Sequence, residues 1–102
     1  MIARAYRYSI GSTIRYRISG EKLWYEGTVE NISSTGVLFR GEHEMQVDTS
    51  IEVCVNMTRN LSEGYRSRMF SRGKVVRVTP GESVPGSALM AASLSHGRIF
   101  RD

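Results

Sequence analysis

Residues 26–40, EGTVENISSTGVLFR, predict two short strands joined by a polar turn. Before the turn, residues 27–30 are compatible with a half-buried strand. After it, residues 37–39 begin an apolar strand, and Gly36 is expected to supply the positive φ that a tight reversal needs. We therefore expect a hairpin whose turn is richer in polar side chains than a reversal of the chain requires.

Three residues of this turn are the candidate ligand-binding residues. Asn31, Ser33 and Gly36 are two and three positions apart, so an amide, a hydroxyl and an unobstructed backbone can face one small polar ligand. In the other interpretation, the Asn and Ser side chains simply bond the backbone of their own turn, as these residue types often do. The residue types alone leave both interpretations open.

Alternation of apolar and polar residues predicts six strands. They are expected at residues 13–18, 23–31, 36–41, 50–57, 69–79 and 88–94. The second strand places Leu23, Tyr25, Gly27 and Val29 on one face, with Trp24 on the other. Six strands with short turns in one domain predict an all-β, antiparallel barrel, because closure removes exposed edges.

Three segments of this prediction are less regular. Residues 42–49 are polar and acidic and predict a loop or a single helical turn. Gly73 interrupts the fifth strand and is expected to mark a β-bulge. Residues 88–94 fit a helix by their Ala and Leu content and a strand by their alternation, so their structure stays open at this point.

The charge of the chain is unevenly distributed along the sequence. The net charge is +4, and residues 1–20 contain four arginines and no acid, whereas residues 21–102 have no net charge. We expect residues 1–11 to form a flexible basic arm and residues 12–102 to form a single domain. Arginine, the main basic residue here, suits bidentate capture of phosphates and of guanine edges.

Several functions are excluded or disfavoured by the sequence. The single cysteine, Cys54, cannot form an internal disulfide, and it alternates with the apolar residues 51, 53 and 55, so it should point away from the core. The two histidines are far apart, so no metal site is expected. No catalytic triad or pair of carboxylates is present, so we expect no enzyme. No signal peptide or membrane span is predicted, which favours a cytoplasmic protein.

Residues 31–36, Asn-Ile-Ser-Ser-Thr-Gly, resemble the (Asp/Asn)-x-Ser-x-x-Gly signature of PilZ domains, which are small bacterial β-barrels that in many members bind the second messenger cyclic di-GMP. An arginine-rich segment, residues 4–8, and then residues 14–17 stand where that family usually has Arg-x-x-x-Arg followed by its first strand. The resemblance covers residues 4–95 and implies a six-stranded antiparallel barrel that ends with a strand at residues 88–94.

The resemblance also implies a ligand and its binding residues. The ligand would be cyclic di-GMP, with no other cofactor, bound by Arg4, Arg7, Asn31, Ser33 and Gly36. The arginine segment would fold over the ligand, the turn would contact a guanine, and the ordered arm would change the surface shown to a protein partner. One departure is that Arg4 and Arg7 are three residues apart, and Ala3 stands four before Arg7. Residues three apart lie on opposite sides of an extended chain, so weaker binding is expected.

Two alternatives accompany this hypothesis. In the first, the barrel does not bind the nucleotide and serves as an adaptor for protein interactions. In the second, it is a small barrel that binds nucleic acid, as suggested by Arg15, Arg17, Tyr16, Trp24 and the basic arm. A nucleic-acid groove usually draws on several strands, and residues 21–102 are neutral, so nucleic acid is the less favoured partner.

Overall fold

Six antiparallel strands form a closed barrel in the part of the chain that the computed structural model describes, residues 12–56 and 67–101. They are β1 (Thr13–Ile18), β2 (Tyr25–Ile32), β3 (Gly36–Gly41), β4 (Ser50–Asn56), β5 (Ser67–Pro80) and β6 (Ala88–Arg101). Around the barrel the order is β1-β2-β3-β6-β5-β4, and β4 pairs back onto β1. The predicted all-β, six-stranded antiparallel barrel is therefore confirmed. Among the described residues there is no helix long and apolar enough to cross a membrane.

The second strand begins two residues later than predicted. Leu23 is 62 % exposed and lies before the strand, so its placement on the core face was wrong. The reason is that β1 pairs with β2 only as far as the Tyr16–Tyr25 pair. The last two residues of β1 pair with β4 alone, which leaves residues 19–24 as a connection over the end of the barrel. Gly20 adopts a φ of 86° in this connection.

The last two strands are longer than predicted and form one hairpin. Residues 88–94 are part of a strand, so the choice between helix and strand is settled by pairing: the first half of β6 has β3 on one side and β5 on the other. β6 then continues to Arg101 along β5. A helix at residues 88–94 would have left β3 and β5 each with one unpaired edge along this segment, because β3 would pair with β2 alone and β5 with β4 alone.

The predicted bulge at Gly73 was wrong. The register between β5 and β6 shifts at residues 70–72 and 75–77, on either side of this glycine. Gly73 itself is regularly paired, and a Cβ atom there would clash with the backbone carbonyl oxygen of Ser93 on β6. The missing side chain therefore permits a close approach of two backbones, which is another common reason for a glycine inside a strand.

The barrel interior is filled by side chains that alternate along each strand. The buried apolar residues are Ile14, Tyr16, Val29, Ile32, Val37, Phe39, Met45, Ile51, Val53, Val55, Met69, Val75, Ala88, Met90 and Ala92. On β4 the pattern follows the prediction, with Ile51, Val53 and Val55 inside and Cys54 half-buried on the outer face. An alternating strand presents one face to the core because successive side chains point to opposite sides.

Residues 42–49 form a loop that covers one end of the barrel, with no helical turn. Met45 is buried at its centre, and its backbone N–H lies 3.4 Å from the sulfur of Met90. The hydroxyl of Tyr16 donates to the backbone carbonyl of His43 at 2.7 Å and accepts from its N–H at 2.8 Å. The Tyr25 ring stacks on the His43 ring, with centroids 4.2 Å apart. The loop is therefore attached to the core through His43.

Candidate functional site

The turn between β2 and β3 lies at the opposite end of the barrel from the loop of residues 42–49. Its ends are joined by a hydrogen bond from the Ser33 N–H to the carbonyl oxygen of Gly36, at 2.9 Å. The Ser33 Oγ accepts a hydrogen bond from the backbone N–H of Thr35 at 3.3 Å. The Ser33 hydroxyl thus bonds the backbone of its own turn. This agrees with the interpretation in which the polar side chains of the motif stabilise the turn itself. Its Oγ also lies 3.5 Å from the Oγ1 of Thr35, and either hydroxyl could be the donor of that contact. A hydroxyl can donate once and accept twice.

The prediction that Gly36 supplies a positive φ was wrong. Among the described glycines, a positive φ occurs at Gly20 and Gly86. Gly36 is already the first residue of β3 and pairs with Ser93, while the reversal is made by residues 33–35. A Cβ atom at position 36 would lie 3.2 Å from the carbonyl oxygen of Ala92. The glycine therefore allows the start of β3 to approach β6 closely and leaves the outer side of the turn open.

A β-bulge in β2 determines where Asn31 points. Val29 pairs with Phe39 and Asn31 pairs with Leu38, so Glu30 is an extra residue on the β2 side. Without it, Asn31 would share the inward face of Val29, because strand side chains alternate. With it, Val29 and Ile32 are both buried and Asn31 is exposed. Redirecting a side chain is a common consequence of a bulge. The alternation of apolar and polar residues does not predict this bulge.

The amide of Asn31 is available for a ligand. It makes no hydrogen bond to another residue in the described part of the chain, whereas the neighbouring Glu30 carboxylate accepts from Arg40 Nε at 3.0 Å. An exposed amide offers donors and an acceptor at once. The bulge therefore presents an unengaged amide beside a carboxylate that already has a cationic partner.

The predicted basic arm, with Arg4 and Arg7, lies outside the described residues. The first described residue, Ser12, accepts a hydrogen bond from the Val29 N–H at 2.7 Å. Residue 12 is therefore adjacent to β2 only two residues before Asn31. Arg7 precedes Ser12 by five residues, a length of chain that spans at most about 17 Å. The chain is thus long enough for Arg7 to reach the turn.

Two aromatic residues of the nucleic-acid hypothesis pack against other residues of the barrel. Tyr16 is completely buried, and its hydroxyl is bonded to the loop that covers the barrel end. Trp24 is half-buried, and the guanidinium carbon of Arg17 lies 4.4 Å from the centroid of its ring. Arg17 also forms an ion pair with Glu52 at 2.7 Å. Of the four residues named for that hypothesis, Tyr16 is thus inaccessible to solvent, and Trp24 and Arg17 pack against each other while staying partly exposed.

The described residues do not form a cluster of metal ligands. They contain no group of three or more His, Cys, Asp and Glu side chains that could hold a metal ion. Burial raises the pKa of the Cys54 thiol, against the opposing effect of Arg68 and Arg15, so the thiol is not activated as a nucleophile. Among the residues that the structure describes, the polar groups at the turn are the Asn31 amide and the hydroxyls of Ser33 and Thr35.

Comparison with known proteins agrees with this geometry. The family model of the PilZ domain matches residues 2–88, which include both arginines of the arm and the whole turn. Neither the curated proteins nor the solved structures give a significant match. The match covers well over half of the chain, and the closed six-stranded barrel is consistent with the fold of that family. The chain belongs to the PilZ domain family.

Proposed function

We propose that the protein is a receptor module for cyclic di-GMP in the bacterial cytoplasm. PilZ domains are non-enzymatic binding modules, and many of them bind this nucleotide. The observation that carries the proposal is the exposed, unengaged amide of Asn31, which the bulge of β2 turns outward next to the point where Ser12 enters the barrel. The family signature, residues 31–36, and the point where the arginine segment joins the barrel, Ser12, therefore both lie at the end of β2.

The residue types match the two parts of the ligand. Cyclic di-GMP carries two phosphates and two guanines, and an amide can pair with a guanine edge while the bare backbone at Gly36 lets the base approach. The Ser33 hydroxyl, which accepts from the Thr35 N–H and lies 3.5 Å from the Thr35 Oγ1, would offer the ligand its remaining hydrogen-bonding capacity. Arg4 and Arg7 supply guanidinium groups for the phosphates and guanine edges. Binding would order the arm and so change the surface offered to a protein partner.

The spacing of the two arginines lowers the expected affinity. Arg4 and Arg7 are three residues apart, so in an extended arm only one of them faces the turn. A hydrogen bond to a charged group contributes roughly 1.5–3 kcal/mol. Losing one such contact weakens binding by about ten- to a hundred-fold. We therefore expect weaker binding than a PilZ domain with the full arginine motif shows.

Calorimetric titration with cyclic di-GMP tests the proposal. Asn31→Ala and Arg7→Ala are each expected to weaken binding by about ten-fold or more, because each removes a polar contact to the ligand. Gln46→Ala is the control, since Gln46 is exposed in the loop at the other end of the barrel. Cyclic di-AMP serves as the control nucleotide, because it has the same phosphates and lacks the guanine edges.

A gain-of-function variant makes the test sharper. Ala3→Arg places arginines four residues apart, at positions 3 and 7, and is expected to tighten binding by about ten- to a hundred-fold. If the protein binds and Arg7→Ala has no effect, the site is elsewhere. If Ala3→Arg leaves the affinity of a binding protein unchanged, the spacing of the arginines does not limit affinity.

The second candidate is a PilZ domain that does not bind the nucleotide and works as an adaptor for protein interactions. Two observations favour it: the departure from the arginine spacing, and the engagement of the Ser33 hydroxyl with its own turn. The two candidates differ in one measurement. A folded protein that gives no binding heat with cyclic di-GMP, before and after Ala3→Arg, supports the adaptor and contradicts the receptor.

A further inference from the structure

The fold separates charges that are balanced along the sequence. The strands β1, β4, β5 and β6 contain eight basic residues and a single acidic one, Glu52. In contrast, β2 and β3 contain two glutamates and one arginine. The part of the barrel wall formed by β1, β4, β5 and β6 is therefore basic. We name its outward side chains the basic wall: Arg15, Arg17, Arg68, Arg72, Lys74 and Arg98.

The register of the strands places a hollow on the basic wall. Glu52 of β4 lies between Arg17 of β1 and Arg72 of β5. In the next row, Phe70 of β5 lies opposite Arg98 of β6. Adjacent strands are about 4.8 Å apart, so these side chains surround one shallow space. It has a volume of about 660 Å³, and Trp24 and Ser71 complete its lining.

The three arginines of this hollow differ in the contacts that they make with other residues. Arg17 is committed to Glu52, at 2.7 Å, and to the ring of Trp24. The side chains of Arg72 and Arg98 are exposed and form no ion pair or hydrogen bond with another residue in ranges 12–56 and 67–101. Phe70 is 40 % exposed between them. The hollow therefore presents two guanidinium groups beside an exposed aromatic ring.

We propose that this hollow binds an acidic segment of a partner protein, with carboxylates on Arg72 and Arg98 and an apolar side chain on Phe70. We choose an acidic segment as the occupant because of charge complementarity: the guanidinium group of arginine binds carboxylates in a bidentate manner. An interface of this kind typically centres on aromatic and arginine anchors. This inference goes beyond the nucleotide site and does not rest on it, since the two sites use different strands.

A single-stranded nucleic acid fits the hollow less well. Such ligands stack successive bases on several aromatic rings along a positively charged groove. Here the lining contains two aromatic residues, and Arg17 already lies over the ring of one of them, Trp24, so the hollow offers no row of rings for successive bases. Glu52 lies in the middle of the row and would repel a continuous phosphate backbone. Separate carboxylates can avoid it by pairing with the arginines on either side.

Fluorescence anisotropy without nucleotide tests the proposal. The probes are the fluorescein-labelled peptide DELDELDE, its uncharged counterpart NQLNQLNQ, and a labelled oligo-dT. The double variant Arg72→Ala/Arg98→Ala should bind the acidic peptide about ten- to a hundred-fold more weakly than the wild type. The control Arg40→Ala/Arg77→Ala removes the same charge from outside the hollow and should change affinity less than about two-fold.

The outcomes separate the possible partners. Loss of peptide binding only in the Arg72/Arg98 variant, with no binding of the uncharged peptide, supports the proposal. Equal losses in both double variants would indicate unspecific charge attraction and overturn it, as would absence of peptide binding to the wild type. Tighter binding of oligo-dT than of the peptide would identify a nucleic-acid surface instead. Asn31→Ala should leave peptide binding unchanged, so a failure of the nucleotide site does not affect this result.

Discussion

Replacing Tyr16 by Phe should destabilise the barrel by removing its attachment to the loop of residues 42–49. Tyr16 is completely buried, and its hydroxyl both donates to and accepts from the backbone of His43. The ring itself packs against Phe39 and Tyr25, at centroid distances of 4.9 and 5.6 Å. The substitution keeps these ring contacts, so the change isolates the hydroxyl.

The expected loss follows from the number of hydrogen bonds. Each intramolecular hydrogen bond contributes a net of about 0.5–1.5 kcal/mol, so two give about 1–3 kcal/mol. Residue His43 is itself exposed, and water can replace part of what the hydroxyl provides. We therefore expect a decrease of about 1–2 kcal/mol in the free energy of unfolding. For a domain of this size that corresponds to a decrease in Tm of about 5–15 °C.

Urea and thermal denaturation, followed by circular dichroism, measure this loss. The matched control is Tyr25→Phe, because the Tyr25 ring also contacts His43, while its hydroxyl has no hydrogen bond to a described residue. The control should change the free energy of unfolding by less than about 0.5 kcal/mol. Equal losses in the two variants, or no loss for Tyr16→Phe, would refute the reasoning that the hydroxyl attaches the loop.

Three further predictions concern the same barrel. Burial raises the pKa of Tyr16 to about 12. Above pH 10 the unfolded chain therefore releases the phenol proton while the native state keeps it. The free energy of unfolding should then fall between pH 10 and 12 by up to about 1.4 kcal/mol per pH unit. Tyr16→Phe should lack this part of the pH dependence in urea denaturation. Gly73→Ala should lower the free energy of unfolding by about 1–3 kcal/mol, because the new methyl group would clash with the backbone of β6. The control Gly97→Ala should lower it much less, because a methyl group there meets only ordinary contacts. Equal losses in the two variants would contradict the close approach at Gly73. The raised pKa of Cys54 predicts that iodoacetamide alkylates the thiol more slowly in the native protein than in urea, and an equal or faster native rate would contradict it.

The local sequence pattern was sufficient to predict the strand bounds and the buried residues where one face of a strand is buried and the other is exposed. On β4, alternation predicted which residues are inside and that Cys54 is outside. The boundaries of β1 and β3 agree with the prediction for the same reason. The position of the turn between β2 and β3, residues 33–35, could also be read to within one residue, because a hairpin turn is defined by consecutive residues. Alternation carries this information because it depends only on nearest neighbours along the chain.

Pairing with distant strands decided what alternation could not. Residues 88–94 became a strand because β3 and β5 lie on either side of them. Leu23 lies outside β2 because β1 pairs with β2 only as far as Tyr16 and continues beyond it with β4 alone. Gly36 and Gly73 are needed for contacts with β6, and not for a positive φ or a bulge. These features depend on backbones that are far apart in sequence, so no local pattern contains them.

The sequence by itself determined the barrel, its turns and the family motif, because each is encoded in short runs of residues. The tertiary structure alone decided that Asn31 faces outward, since that depends on one extra residue, Glu30, in the register of β2 against β3. It also decided where the positive charge lies. Residues 21–102 are neutral in sequence, yet β5 and β6 contain no acidic residue, and they pair beside β4 and β1 in the closed barrel. Charge forms a surface only when strands from distant parts of the chain are brought side by side, and closure of the barrel does this here.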